Sequence, residues 1–306
     1  MTQSASTQAT LPLPPNPEPP QEKALETGKP TTAWALFRRN RAAMFGLIVL
    51  TFIVLMTLVG PFVYPQDPFE SVGARFQPPG SPGAPLGTDY LGRDGLAGII
   101  HGGMTTLLVG LFAAVMTLLI GVGIGAVAGY VGGRVDSALM SFTELFQVIP
   151  ATLFAMVVLT LYGSSNVVVA IVMACVLWTG TARLARSEFL RLKNFEFIRA
   201  QRSLGASDLR IILRTVLPNA LPTLMINATM IVGVAILLQA ALSFLGLANP
   251  NVFTWGMMIG NSRPYLTVAW WTITFPGLAI FLTVLSVSLV GDGLQDAWNP
   301  KLKERR

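Results

Sequence analysis

Long stretches without a charged side chain dominate the pattern of apolar and polar positions along this chain. No Asp, Glu, Lys or Arg lies between Asp94 and Arg134, nor between Arg214 and Arg263. Further uncharged stretches follow Glu144 and Arg263. An apolar run of about 18 or more residues is long enough for a helix to cross the hydrocarbon core of a membrane. The pattern therefore predicts an all-α polytopic membrane protein.

The boundaries of the apolar runs predict six transmembrane helices. The stretch from Leu145 to Ala182 is too long for one span, because at ~1.5 Å per residue it would exceed a ~30 Å core nearly twofold. A turn at residues 162–166, Tyr-Gly-Ser-Ser-Asn, divides it into two spans. Pro150 is expected to kink the first of these. The other four spans are predicted at residues 44–64, 104–130, 222–246 and 270–291.

Composition and charge support a membrane location. Only 12% of the 306 residues are charged, and the mean hydropathy is +0.60, whereas soluble domains carry about 25% charged residues. The net charge of +6 does not indicate nucleic acid, because the basic residues lie in links between apolar runs. All 21 Lys and Arg residues except Arg75, Arg93 and Arg263 fall on one side of the predicted spans. Both termini are therefore expected in the cytoplasm.

Four consecutive regions are expected. Residues 1–33 are rich in Pro and polar side chains and bury too little apolar surface to fold, which predicts a disordered cytoplasmic tail. Residues 34–103 would form a basic, aromatic helix in the lipid headgroup layer, the first span and a periplasmic loop. Residues 104–293 would form a core of five transmembrane helices with a cytoplasmic loop at 183–221. Residues 294–306 would form a cytoplasmic C-terminal tail.

Two features inside the predicted spans are candidates for packing or transport. Gly121, Gly125 and Gly129 share one face of the second span, because residues four apart lie above one another on a helix. Such a face lets another helix approach closely.

Glu144 lies in the third span, where a charge in lipid is costly. It could line the pathway or its gate, or form a buried pair with Gln147 or a partner chain, and the sequence leaves both interpretations open.

The predicted cytoplasmic link, residues 183–221, is far longer than a connection between two spans needs. Its first half predicts a short amphipathic helix that ends at Gly205, in the position of a C-terminal cap. Ser207 or Asp208 can cap a second helix, which is expected to end at Pro218. A helix–turn–helix that projects from a membrane is typical of a docking element. An ordinary solvated loop is the alternative.

No pattern in the sequence indicates an enzyme, a cofactor or a metal site. The sequence has no Gly-rich phosphate loop with Lys and Ser/Thr, so it is not expected to bind ATP by that device. The single Cys175 excludes an intrachain disulfide and a cysteine metal cluster. The single His101 cannot form a histidine metal site by itself, and its position before the second span does not suit a Ser/His/Asp triad.

The link resembles the coupling signature of ATP-binding-cassette (ABC) importer permeases of the oligopeptide and dipeptide class, specifically the second permease subunit. That signature has Glu-Ala-Ala, three residues, Gly and, further on, Leu-Pro. The matching residues are Ala200, Gly205, Leu217 and Pro218. Arg199 and Gln201 stand where the family has Glu and Ala. Glu196, one turn earlier on about the same helix face, is our candidate to replace part of the missing carboxylate's role.

Other motifs of that family occur in the expected order along residues 34–302. They are residues 86–94 (Leu-Gly-Thr-Asp-Tyr-Leu-Gly-Arg-Asp), 242–247, 255–256, 263–265, 275–277 and 291–294. The Ser-Arg pair that usually follows the first motif is replaced by Ala97-Gly98. One motif alone is weak, but the ordered set is specific.

The resemblance implies a type I ABC importer permease fold in the bacterial cell membrane, with ATP hydrolysed by partners. A homologous permease would complete the pathway, and two ATPase subunits would drive it. An external binding protein would dock on the loops at 65–103 and 247–269. The family's coupling helix inserts into a groove on the ATPase. The residues expected to do so here are Glu196, Arg199, Ala200, Gln201, Leu204, Gly205, Ala206 and Ser207.

The resemblance implies dipeptides or oligopeptides as cargo, with glutathione or a nickel chelate as alternatives within the class. A self-contained channel or secondary transporter is the alternative from another class. Such proteins often carry several ionisable groups inside the membrane, whereas Glu144 is nearly alone here. A membrane scaffold without transport activity is a further alternative, and co-purification of ATPase subunits would distinguish it from a permease.

Overall fold

The computed structural model describes residues 33–247 and 249–298, and every regular element in these ranges is a helix. The predicted disordered tail lies outside the described residues except for Ala33, and so do residues 299–306 of the predicted C-terminal tail. The helices are α1 (Ala33–Arg39), α2 (Arg41–Val63), α3 (Gly95–Val131), α4 (Gly133–Val148), α5 (Ala151–Tyr162), α6 (Asn166–Leu192), α7 (Glu196–Ser203), α8 (Asp208–Ile211), a π-helical turn (Ile212–Val216), α9 (Leu217–Phe244), α10 (Trp255–Ser262), a 3₁₀ turn (Arg263–Tyr265) and α11 (Trp271–Trp298).

Five helical segments are long and apolar enough to cross a membrane, namely α2, α3, α6, α11 and the continuous run Asp208–Phe244. α4 and α5 pass the same test together, but they are bent by 81° at the break around Pro150. The total is six if the bent pair forms one span, in agreement with the sequence. Pro150 lies where a kink is predicted, because proline lacks the N–H that would continue the α4 hydrogen bonds. The third span also begins earlier than the uncharged stretch suggests, since α4 starts at Gly133.

The second span begins at Gly95, well before the predicted start at residue 104. Asp94 explains the difference, because its carboxylate accepts hydrogen bonds from the backbone N–H groups of Leu96 at 3.0 Å and Ala97 at 3.3 Å. A side chain that satisfies the first N–H donors of a helix stabilises the helix start. The apolar run marks where lipid contact begins, whereas this cap marks where the helix begins.

The last helix continues to Trp298, so the predicted C-terminal tail, expected from residue 294, starts as helix. Packing explains this extension, because Ala297 is buried together with Phe37 of α1 and Ala43 of α2. The last turns of α11 therefore have an apolar partner that the sequence pattern alone does not show.

The chain alternates between two ends of the helix bundle. One end holds α1, the turn between α3 and α4, and residues 193–216, and it is called here the basic end. The other end holds residues 64–94, the turn at 163–165 and residues 249–270, and it is called the loop end.

α3 packs along α6 through its predicted glycine face. A Cβ on Gly121 would lie 2.6 Å from Cβ of Thr181, and one on Gly125 or Gly129 would overlap the backbone of α6. Gly123, on another face of α3, has no such neighbour within 4 Å. The three glycines spaced four apart therefore allow the closest helix contact in this part of the bundle, where a larger side chain would force the helices apart.

Candidate functional site

The link between α6 and α9 forms a helical hairpin, residues 195–216, at the basic end. α7 ends at Ser203, and Gly205 follows with φ of +81°, a left-handed conformation that ends helices and favours glycine. No atom lies within 4 Å of the position that a Cβ would take on Gly205. Backbone conformation, and not crowding, therefore requires glycine here. The first helix ends where the sequence predicts.

The second helix of the hairpin does not end at Pro218, contrary to the prediction. α8 begins after Ser207, passes through the π-helical turn Ile212–Val216 and continues as α9 to Phe244. Pro218 lies in the first turn of α9, directly after this wider turn, where a missing N–H and the proline ring are tolerated. The second helix of the hairpin and the fifth span are thus one continuous helix of 37 residues.

Large apolar side chains are exposed on the hairpin. Leu204 is 87% exposed, Leu209 is 66% exposed and Leu213 is 54% exposed. Ile198 and Ile211 point inward and are buried in a cluster against α6 and α9. The hairpin is therefore held to the bundle by one face while another face presents leucines outward. Exposed apolar patches of this kind are typical of protein interaction sites.

The eight predicted coupling residues are divided between exposed and partly buried positions. The exposed members are Glu196, Arg199, Ala200, Leu204, Gly205 and Ser207. Gln201 and Ala206 are partly buried, and the Thr215 hydroxyl donates a hydrogen bond to Oε1 of Gln201 at 3.0 Å. Ser207 occupies the cap position of α8, but its side chain makes no capping hydrogen bond. Most of the predicted set is therefore available to a partner, while Gln201 braces the hairpin internally.

A polar cluster that the sequence analysis missed fixes the hairpin to α3. Tyr130 donates its hydroxyl hydrogen to Oδ1 of Asp208 at 2.7 Å, and the Arg202 guanidinium donates to the Tyr130 oxygen at 3.0 Å. Arg202 also donates to Asp208 at 3.2 Å and lies 5.6 Å from the Tyr130 ring centroid. The hydrogen bond to Tyr130 raises the pKa of Arg202, which keeps this side chain cationic. Tyr130 is more than 70 positions before its two partners, so no local spacing in the sequence could indicate this cluster.

An ion pair holds the start of α4 to the end of α6. The Arg186 guanidinium donates to both carboxylate oxygens of Asp136, at 2.5 and 2.7 Å. Such bidentate pairs fix orientation as well as distance. Lys193 adds a hydrogen bond to the Tyr130 carbonyl at 3.2 Å. The turn between α3 and α4 is thereby connected to α6 and to the start of the hairpin.

Glu144 lies exposed on α4, and Gln147, one turn further on, is exposed as well. Beside them, Phe142 and Phe146 pack against Trp178 of α6, with ring centroids 6.0 and 5.6 Å from that of the tryptophan. The interpretation of Glu144 as half of a buried pair within this chain is therefore wrong, because neither polar side chain is buried. A position on the pathway or against a partner chain is still open.

At the loop end, the motif at residues 86–94 is organised around the buried Thr88. The Thr88 hydroxyl accepts a hydrogen bond from the backbone N–H of Gln77 at 2.8 Å and donates one to the carbonyl of Ala74 at 2.7 Å. The indole N–H of Trp271 donates to the Thr88 carbonyl at 3.2 Å. One short motif therefore ties the loop to itself and to the start of α11.

Asp89 and Arg93, two of the three charged side chains of this motif, also bond within the chain. Asp89 accepts backbone hydrogen bonds from Leu91 at 2.8 Å and Arg93 at 2.9 Å, although burial raises the pKa of Asp89 overall. Arg93 donates to the carbonyl of Phe69 at 3.1 Å and lies 5.2 Å from the centroid of that ring. The motif thus has an evident structural role, which its resemblance alone did not reveal.

α10 fills the loop end between α3 and α9. Trp255 is fully buried, and its indole N–H donates to the carbonyl of Ile99 at 2.9 Å. A Cβ on Gly256 or Gly260 would lie 2.7 to 2.9 Å from the backbone of α9, so both positions need glycine for this close contact. The loop end is consequently packed as a folded layer and not as a set of free loops.

Across residues 33–247 and 249–298, no three His, Cys, Asp or Glu side chains lie close enough to hold a metal ion. Asp136 and Asp208 have arginine partners, while Asp94 caps α3. These sites therefore consist of an exposed apolar surface on the hairpin and polar connections between helices at both ends of the bundle.

The sequence matches one family over most of the chain. Residues 121–304 match the binding-protein-dependent transport system inner membrane components, and residues 31–79 match the N-terminal transmembrane domain of oligopeptide transport permease C. The chain belongs to the family of binding-protein-dependent transport system inner membrane components. It is a multi-pass permease subunit of the bacterial inner membrane, as the sequence predicts.

Curated relatives align along nearly the whole chain. The dipeptide transport system permease protein DppC of Bacillus subtilis is 37% identical over 273 residues, covering 89% of this chain and 85% of the relative. The di/tripeptide transport system permease protein DppC of Pseudomonas aeruginosa is 37% identical over 277 residues, covering 88% and 91%. The oligopeptide transport system permease protein OppC of Bacillus subtilis is 34% identical, covering 88% of each chain. The resemblance to this class of importer permease is confirmed.

Among solved structures, an inward-facing form of the MetNI methionine ABC transporter contains a chain with the same fold. It has a TM-score of 0.57 at 16% sequence identity, and the match covers 66% of this chain and 97% of that chain. The predicted importer permease fold is confirmed at this level. The cytoplasmic placement of both termini stays a prediction.

Proposed function

We propose that this chain is one of two transmembrane subunits of an ATP-driven importer that carries dipeptides or oligopeptides into the cell. The observation that carries the proposal is the hairpin at the basic end, which presents the exposed Leu204 and Leu209 and runs without interruption into the fifth span. The peptide cargo is supported by relatives named for dipeptide, di/tripeptide and oligopeptide transport.

The proposal places the basic end in the cytoplasm, because Lys and Arg accumulate on the cytoplasmic side of membrane proteins. Two ABC ATPase subunits would bind and hydrolyse ATP there, one of them receiving this hairpin. A homologous permease would pair with this chain and receive the second ATPase. An external binding protein would deliver peptide to the loop end, at the loops 65–103 and 247–269.

The coupling step follows from how the hairpin is connected. An amphipathic helix that enters a groove moves with the groove. Tyr130, Arg202 and Asp208 tie the hairpin to α3, and the π-helical turn joins it to α9. Closure of the ATPases would therefore move at least two spans together. Shifting such an equilibrium from 1:99 to 99:1 needs about 5.5 kcal/mol of differential binding, which ATP and the docked binding protein would supply.

Glu196 is proposed to provide part of the ionic contact that the family's signature glutamate makes. Its exposed position in the first turn of α7, one turn before Arg199, supports this role. A double-mutant cycle between Glu196→Gln and a basic residue of the ATPase groove measures the contact. Coupling of about 0.5 kcal/mol or more is expected for such a pair, and additive effects would contradict the proposal.

Reconstitution tests the function as a whole. The full complex, in proteoliposomes with its binding protein outside, is expected to accumulate a labelled di- or tripeptide only when ATP is supplied inside. Peptide movement by this chain without ATPase subunits would instead indicate a self-contained channel or secondary transporter. ATP-driven uptake of glutathione or a nickel chelate, with no peptide uptake, would overturn the cargo assignment while leaving the importer assignment intact.

A further inference from the structure

The break in the third span leaves backbone polar groups in an unusual place. α4 ends at Val148 and α5 starts at Ala151 at an angle of 81°. The last carbonyls of one helix and the first N–H groups of the next have no intrahelical partner at such a break. Broken backbone at membrane depth is tolerated where protein or water surrounds it, but not where it faces lipid. The break therefore needs a polar environment.

A cavity of about 410 Å³ lies beside this break and provides one. The lining comes from the break and from the facing surface of α6. Its polar members are Gln147, Thr179 and Arg183, and Cys175 also lines it. No atom lies within 4 Å of the position that a Cβ would take on Gly180, another lining residue, so the space beside α6 is open. Polar side chains and open volume together favour water in this cavity.

The lining of the cavity extends along α6 from Cys175 towards the basic end. At ~1.5 Å per residue, Cys175 lies ~13 Å along α6 from Asn166, and Arg183 lies ~25 Å along it. The hydrocarbon core is about 30 Å thick, so with Asn166 at one boundary of the core Cys175 would lie near the centre and Arg183 near the opposite edge. This depth suits a compartment through which a solute passes.

Arg183 differs from the neighbouring Arg186 in its charge balance. Arg186 is neutralised by Asp136, whereas Arg183 is exposed, lines the cavity and has no carboxylate within ion-pair distance among the described residues. Glu144, the nearest acidic residue along α4, does not line the cavity. An unpaired guanidinium in a cavity wall attracts anions and binds a carboxylate in bidentate geometry.

We propose that the cavity at the α4–α5 break is a water-filled part of the transport pathway and that Arg183 is its anion-binding group. The carboxylate that Arg183 receives is that of the transported peptide. This inference rests on the proposed function for the identity of the ligand, but the water-filled cavity and its anion preference do not depend on it. A lipid phosphate is the other anion that a guanidinium at this depth can bind, and the experiments distinguish the two.

Cys175 is the single cysteine of the chain and a natural reporter on the cavity. In the full complex with cysteine-free partners, its modification rate is measured with an anionic and a cationic methanethiosulfonate of similar size. The control replaces Cys175 by Ser and Leu119 by Cys, because Leu119 is 61% exposed on the apolar surface of α3. Cys175 is expected to react at least about tenfold faster than the control cysteine, since the reactive thiolate needs water. Equal rates would show that lipid fills the cavity and would overturn the proposal.

The charge preference of the same reaction tests Arg183. The anionic reagent is expected to react about tenfold faster than the cationic one, and Arg183→Gln is expected to abolish this difference while Arg183→Lys retains most of it. Arg134→Gln, which removes an exposed cation elsewhere at the basic end, serves as the matched control and should leave the preference unchanged. A preference that survives Arg183→Gln would overturn the assignment of Arg183.

Measurements of peptide uptake then distinguish whether Arg183 binds the carboxylate of the peptide or the phosphate of a lipid. The ratio of uptake rates for a peptide and its C-terminally amidated form is measured in the wild type and in Arg183→Gln, so that any preference of the binding protein cancels. Arg183→Gln is expected to lower this ratio about tenfold. An equal fall for both peptides, or an effect that disappears in vesicles without anionic lipid, would assign Arg183 to lipid. Absence of all peptide uptake by the wild type would reject the proposed function, while the labelling result would still decide whether the cavity holds water.

Discussion

Trp255 at the loop end and Leu204 at the basic end are both large apolar side chains, yet the first is fully buried and the second is 87% exposed. The interior of the loop end is bonded within this chain, through the indole of Trp255, the hydroxyl of Thr88 and the carboxylate of Asp94, although Leu266, Val268 and Trp270 there stay more than half exposed. The basic end holds its inner face to the bundle and leaves its outer leucines uncovered. The interior of the loop end is thus closed by contacts within this chain, whereas the outer leucines of the basic end have no cover from the described residues.

Gly205→Pro should give the largest effect at the basic end. Proline fixes φ near −65°, whereas Gly205 has φ of +81°, so the turn of the hairpin cannot form. We expect transport to fall by at least about 100-fold, consistent with a cost of about 3 kcal/mol or more for a misplaced proline, while membrane insertion is unchanged. Uptake by proteoliposomes and membrane fractionation measure the two. Gly205→Asn, which tolerates the left-handed conformation, should retain most activity, and wild-type transport by Gly205→Pro would reject the docking role.

Leu204→Asp should be the next largest change. Burying a leucine contributes about 1.5–3 kcal/mol, so losing it from the interface should weaken binding of the ATPase about 10- to 100-fold. Affinity is measured with purified ATPase and the permease pair in detergent. The matched control, Leu91→Asp at the loop end, should leave this affinity unchanged. If both variants bind the ATPase like the wild type, the exposed leucines are not the contact.

Asp94→Ala should instead destabilise the loop end without affecting ATPase binding. The variant loses the cap of α3, which contributes about 0.5–2 kcal/mol in comparable helices, together with the hydrogen bond that Tyr64 donates at 2.6 Å. We expect thermal unfolding at a temperature a few degrees lower. ATPase affinity that falls along with stability would contradict the independence of the two ends.

Comparing the unfolding temperatures of the wild type and Tyr64→Phe at several pH values isolates the hydrogen bond between Tyr64 and Asp94. Burial and the hydrogen bond to Asp94 raise the pKa of Tyr64 to about 12. The folded protein therefore favours the neutral phenol, and the stabilisation is fully present below the ordinary tyrosine pKa of about 10. It is lost as the pH rises through 12. The difference in unfolding temperature between wild type and variant should accordingly be constant from pH 6 to 9, and a difference that varies across this range would argue against the hydrogen bond.

Tyr130→Phe should have the smallest effect of the changes at the basic end, because it removes one hydroxyl and keeps the ring. The lost hydrogen bonds to Asp208 and from Arg202 contribute about 0.5–1.5 kcal/mol each. We expect basal ATPase activity of the complex to persist while the peptide transported per ATP falls two- to fivefold, since the hairpin would move less firmly with α3. Tyr162→Phe, in an exposed position at the end of α5, is the control. Unchanged transport per ATP would show that α3 takes no part in coupling.

The sequence was informative where a local rule determines structure. Apolar run length placed the spans, spacing by four identified the glycine face of α3, and Gly205 marked the end of α7. The sequence was uninformative where the structure depends on a contact between residues that are distant in the chain. α11 extends beyond its apolar run because Ala297 packs against Phe37, and the hairpin is held by a pair of residues, Tyr130 and Asp208, far apart in sequence.

The error at Pro218 has a different cause. A proline usually marks a helix end, but a π-helical turn directly before it widens the backbone and lets the helix continue. Val216 and Ala220, on either side of this proline, are buried in the interior, and a local pattern does not encode such packing. The break at Pro150 likewise follows only in part from the sequence. A proline predicts that the helix kinks there, but it does not predict the size of the bend, 81°.

In the proposed mechanism, the continuous helix from Asp208 to Phe244 would act as a lever. Its 37 residues span about 55 Å at ~1.5 Å per residue, so a tilt of roughly 10° applied at one tip displaces the other by roughly 10 Å. The far tip lies against α10, at the contact of Gly260 with Ser243 and Phe244. A movement imposed by the ATPase at one end of this helix would therefore be transmitted to α10 at the other end of the bundle.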